Sequence, residues 1–205
     1  MYITYGESKL MNEQTITKAT GNIADYSFPV WARLLHAGMA IFGIAAYLSA
    51  ELAEHAEGDS TGYLIHAYLG LSLMSVLAIR FMAGYGSRGV MGFRGWFPFS
   101  RSQFQLAVED VGQLLQFKMP HRLAHQGITG VVQAAGLLIF MWMAITGTGI
   151  YFLGAADSGF GEILEELHEV GEALVPLYLL LHIGSVFLHS LAGTPVWQKM
   201  WKFGK

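Results

Sequence analysis

Apolar residues fall in four long blocks, approximately residues 30–50, 63–83, 128–153 and 174–192. Each approaches the roughly 20 residues that an α-helix needs to cross a bilayer. Stretches of this length are seldom the core helices of a water-soluble domain. The pattern therefore predicts an all-α fold, an integral membrane four-helix bundle. The outer connections are short. The central one, about residues 84–125, is long and has parts of its own. Residues 84–98 are rich in glycine and aromatics and are expected to be non-helical and interfacial. Ser100 or Ser102 then suits a helix N-cap, and Phe104, Ala107, Val108, Val111, Leu114 and Leu115 follow a 3.6-residue period. Gln103, Glu109, Asp110 and Gln113 lie opposite, which predicts an amphipathic interfacial helix in the central loop. Its simplest role is to close the floor of the bundle; a docking surface is the alternative. No internal repeat is evident, and the expected division is a tail at 1–28, one transmembrane domain at 29–195 and a second tail at 196–205.

Composition agrees with the pattern. Hydrophobic residues make up 53% of the chain and charged residues only 13%, against about a quarter in soluble domains. The placement of charge adds an orientation. Glu51, Glu54, Glu57 and Asp59 lie between the first two blocks, and Asp157, Glu162, Glu165, Glu166, Glu169 and Glu172 between the last two, with no Lys or Arg in either segment. Arg33, Arg80, Arg88, Arg94, Arg101, Lys118, Arg122 and the terminal lysines all fall on the other side. The positive-inside rule then places both termini and the central loop in the cytoplasm. Residues 1–24 lack the apolar core of a signal peptide, so they read as a cytoplasmic tail before an uncleaved first span. The chain has no cysteine, which excludes disulfides, iron–sulfur clusters, thiolate ligation and covalent c-type haem attachment.

Ionisable residues within membrane spans are costly and usually mark function. Here they are histidines. His36 lies in the first helix near its cytoplasmic side, and His66 opens the second on the outer side. The fourth carries His168, His182 and His189. The interval from His168 to His182 corresponds to about 21 Å of rise and a return to within about 40° of the same azimuth. By depth, His66 matches His168 and His36 matches His182. Two such pairs across a bundle suit two haems with both axial positions filled. His189 shares the face of His182 and by depth alone pairs with His36 nearly as well. A lone buried histidine is as readily a hydrogen-bond partner of a carbonyl. A histidine-lined proton or divalent-metal transporter is a further reading, although no Asp or Glu lies in the apolar blocks. A structural anchor for a peripheral enzyme is a third. His121 and His125 are expected at the interface and His55 in solvent.

At these residues the sequence resembles the bacterial cytochrome b561 and nickel–iron hydrogenase b-type cytochrome family. The resemblance runs from Pro29 onward. It rests on Trp31-Ala-Arg-Leu-Leu-His36, Leu64-Ile-His66, and the pair His168 and His182 in the last block. It implies two haem b groups, one held by His36 and His182 and one by His66 and His168, and so favours His182 over His189. The run from Arg80 to Gly89, followed by Gly95-Trp-Phe-Pro-Phe, is similar to the hydrogenase-type branch. That likeness implies electron exchange between a quinone pool and a partner redox subunit, such as a hydrogenase or c-type cytochrome, in the bacterial inner membrane. A homo- or hetero-oligomer is open, and no nucleic acid is expected. Such a chain is a cytochrome or an oxidoreductase subunit rather than a stand-alone enzyme. Arg33, three residues before His36, could meet a haem propionate or serve as an ordinary positive-inside anchor.

Overall fold

The computed structural model describes residues 28–54, 61–87, 92–93, 101–116, 118, 120, 127–154, 159–193 and 195–201. Six helices occur among them: α1 (Val30–Glu54), α2 (Thr61–Gly86), α3 (Arg101–Leu115), α4 (Ile128–Leu153), α5 (Gly159–Leu191) and α6 (Gln198–Trp201). The first tail up to residue 27, most of the glycine- and aromatic-rich connection, and His55, His121 and His125 lie outside the described residues.

Four of the helices, α1, α2, α4 and α5, are long and apolar enough to cross a membrane. Helix α1 begins directly after Pro29, whose carbonyl accepts the N–H groups of Ala32 at 3.0 Å and Arg33 at 3.2 Å. Proline is suited to that place because it lacks a donor for a helix interior. Helix α4 ends at Gly154, which has φ 77. Its N–H still reaches the Ile150 carbonyl at 3.1 Å. That left-handed turn strains any residue with a Cβ.

Consecutive long helices pack as two hairpins, α1 on α2 and α4 on α5, joined through α2 against α4. Leu73, Leu77, Ala134, Leu137 and Ala144 form the centre of that joint, with Leu77 fully buried. Elsewhere small residues let helices approach: Gly43 faces Phe140, Gly136 faces Tyr178 and Gly171 faces Met143. Many of the largest aliphatic side chains, among them Leu48, Leu180 and Leu191, point outward. Glycines at the helix contacts and large aliphatic side chains turned outward suit helices associating in lipid, where close packing rather than hydrophobic burial drives contact.

Helix α5 differs from its apolar block. It starts at Gly159, so the acidic stretch from Glu162 to Glu172 is helical rather than a loop. Its 33 residues correspond to about 50 Å of rise, against a hydrocarbon core of roughly 30 Å. Glutamate and leucine are good helix formers, and Glu162 in the first turn favours the helix dipole.

Helix α3 rests on α4. Its Asp110 is only 1% exposed, although the amphipathic pattern puts it on the polar side. The Asp110 carboxylate accepts the Ile128 N–H at 3.0 Å, satisfying a donor that the first turn of α4 leaves without a helical partner. Phe104, Val108, Val111 and Leu115 are exposed. The short α6 turns back onto α1.

Candidate functional site

Helices α1, α2 and α5 bring four histidines together in two pairs. His66 of α2 meets His168 of α5 with ring centroids 6.2 Å apart and planes at 88°. His36 of α1 meets His182 of α5, also at 6.2 Å, with planes at 43°. The first pair lies at the end of the bundle where the acidic residues gather, the second at the end where the basic residues gather. Helix α5 packs closely on α4, and these imidazoles meet α1 and α2 across the bundle.

The acidic-end pair is fixed by hydrogen bonds. His66 Nδ1 lies 3.0 Å from the Ala46 carbonyl of α1. A carbonyl only accepts, so Nδ1 carries the hydrogen and Nε2 keeps its lone pair. Ser49, buried one turn along α1, donates to the same carbonyl at 2.9 Å and lies 3.4 Å from the ring. His168 Nδ1 lies 2.8 Å from the Thr146 hydroxyl of α4. The next residue is Gly147, where a Cβ would stand 3.0 Å from His168 Cε1. The missing side chain is what lets the imidazole lie against α4. The Trp142 indole donates to the Leu167 carbonyl at 2.8 Å, tying α4 to α5 beside the histidine. Glu172 Oε1 is 3.9 Å from His168 Nε2, too far for a hydrogen bond.

The basic-end pair is framed by aromatic rings. Tyr178, one turn before His182, stacks on it at 5.5 Å and 18°. Phe140 meets Tyr178 edge-on at 5.8 Å. Trp201 of α6 meets His36 edge-on at 6.0 Å. Arg33 is half-buried, three residues before His36. Arg80, only 4% exposed, lies under the Phe93 ring at 5.3 Å. It follows His66 on α2 by the same interval that separates His182 from His168 on α5, so it shares the His66 face about 21 Å deeper.

The sequence singled out the four histidines and Arg33. It did not single out Ala46, Ser49, Thr146, Gly147, Tyr178 or Trp201. Small and hydroxyl residues inside an apolar block carry no periodic signal of their own. Only the contact across helices distinguishes Thr146 from any other lipid-compatible threonine.

The donor set admits a narrow range of chemistry. Among the described residues no group of three or more His, Cys, Asp or Glu side chains could hold a metal ion. A bare zinc ion needs three or four protein ligands. Two imidazoles alone suit a metal that brings its own equatorial donors. Two metal–nitrogen bonds of about 2 Å, with roughly 1.1 Å from each nitrogen to its ring centre, put such centroids about 6 Å apart. Both pairs fit that spacing, and with no cysteine in the chain the attachment is non-covalent. The residues present thus fit haem b.

Comparison with known proteins gives the same direction. The family profile described as prokaryotic cytochrome b561 matches residues 27–203, nearly the whole chain. Neither the curated proteins nor the solved structures contain a significant match.

Proposed function

Because the chain belongs to the prokaryotic cytochrome b561 family, and so is a bacterial membrane b-type cytochrome of electron transfer, we propose that it carries two haems b and passes electrons across the membrane between a quinone and a partner redox subunit. The observation that carries this reading is the pair of imidazole couples, each 6.2 Å across, at two levels along α5. A haem with an imidazole on each axial face supplies one-electron transfer and leaves no open position for substrate or oxygen. His66 and His168 hold one group, and His36 and His182 the other. Arg33 and Arg80 place guanidinium groups at the basic end, where they suit haem carboxylates.

The acidic end faces outward and the basic end the cytoplasm, as the segregation of Lys and Arg favours. Helix α3 lies along the cytoplasmic membrane surface, its exposed Phe104, Val108, Val111 and Leu115 against lipid and Asp110 against the bundle. The quinone binds at this same end, near His36, Trp201 and α3, where electrons from the basic-end haem are within reach. A redox partner such as a hydrogenase or c-type cytochrome exchanges electrons at the other end.

Addition of a quinol to membranes containing the protein tests this directly. The expected result is reduction of a b-type absorbance, abolished in His36→Ala and His182→Ala. A b-type spectrum that no quinol reduces overturns the quinone assignment, and a haem-free purified protein overturns the whole reading.

A further inference from the structure

The two imidazole pairs are held in different ways. At the acidic end each ring is hydrogen-bonded through Nδ1, His66 to the Ala46 carbonyl and His168 to the Thr146 hydroxyl. At the basic end the rings are framed by Tyr178 and Trp201, and no described residue hydrogen-bonds to either ring.

We propose that Thr146 is a positioning residue for the acidic-end haem. Its hydroxyl accepts the Nδ1–H of His168, presents Nε2 as the ligand, and makes this iron the harder of the two to reduce. The inference rests on the two-haem reading above.

The direction of the hydrogen bond follows from the donor count. Thr146 is 5% exposed, and its hydroxyl donates to the Trp142 carbonyl at 2.9 Å, with that of Met143 at 3.2 Å. A hydroxyl has one hydrogen and two lone pairs. With the hydrogen directed to the α4 backbone, it meets the imidazole as an acceptor. A neutral imidazole has one N–H, so the hydrogen sits on Nδ1 and Nε2 retains its lone pair. His168 Nε2 has no hydrogen bond among the described residues, Glu172 lying at 3.9 Å. The setting is rigid, because the Trp142–Leu167 hydrogen bond joins the helices and Gly147 leaves the ring its place.

An imidazole that donates from its far nitrogen is a more basic ligand. A more basic axial ligand favours the ferric over the ferrous state, one of the protein's levers on haem potential. Glu165, Glu169 and Glu172 add negative charge at the same end and act in the same direction. His66, bonded to Ala46, reinforces the asymmetry from the other helix.

Redox titration of the purified haem-loaded protein tests the proposal, followed by absorbance and by the low-spin ferric electron paramagnetic resonance signals. Wild type is compared with Thr146→Ser, Thr146→Val and Thr146→Ala. The serine variant, which keeps the hydroxyl, should titrate as wild type with two resolved components. The valine and alanine variants should move the lower-potential component upward and change its resonance signal, leaving the other in place. Selective loss of one haem in both, with full retention in serine, also supports the role. Unmoved components in valine and alanine overturn it, as does an equal shift of both components. Haem content in wild type is read separately: one haem per chain removes the two-haem reading, whatever the variants do.

Discussion

The imidazole of His36 lies 6.2 Å, centroid to centroid, from that of His182, and Tyr178 stacks on His182 at 5.5 Å. His182 therefore has ring contacts with both a neighbour on its own helix and a mate on another. His182→Ala should remove the basic-end haem, and His189→Ala should leave the full haem complement. Haem quantification on the purified variants distinguishes them. The opposite pattern would transfer the ligand role to His189.

Gly147 gives a second, more local expectation. A methyl group there would come 3.0 Å from His168 Cε1, tighter than a relaxed packing contact. Overpacking of this kind costs about 1–3 kcal/mol. In Gly147→Ala the acidic-end haem should bind more weakly or show an altered low-spin signal, with the basic-end haem unaffected. Spectra of both haems indistinguishable from wild type would contradict this packing account.

The apolar spans and the common face of His168 and His182 are legible in the sequence because both depend on local spacing alone. Two histidines fourteen positions apart on one regular helix return to within about 40° of the same face. The start of α5 was less legible, since hydropathy marks where lipid ends and not where a helix ends. Glu162 to Glu172 are poor in hydropathy yet good in helix propensity. Asp110 was misplaced for a different reason. Periodicity assigns a carboxylate to solvent, but this one caps α4, eighteen positions further along, and no local rule anticipates that partner. Thr146 and Ala46 were invisible because their roles lie in contacts between helices.

Asp110 is testable through stability. Loss of a carboxylate that caps a helix N-terminus typically costs about 1 kcal/mol, and burial of this one raises the penalty of leaving the Ile128 N–H without its acceptor. Asp110→Ala should lower the thermal midpoint in detergent, and Asp110→Asn, which keeps an acceptor oxygen, should lower it less. Equal midpoints for wild type and alanine would remove the capping role.

Orientation can be read with a probe that the chain makes convenient, since it contains no cysteine. Glu166 and Lys118 are both exposed, at opposite ends of the bundle. In intact cells a membrane-impermeant maleimide should label Glu166→Cys readily and Lys118→Cys only after permeabilisation. Labelling in the reverse order would invert the proposed topology.

The central claim is two haems on two imidazole pairs, and haem counting by pyridine haemochrome assay tests it most directly. The account predicts two haems b per chain in wild type and one in each of His168→Ala and His182→Ala. A single haem in wild type, or two retained in either variant, would contradict it.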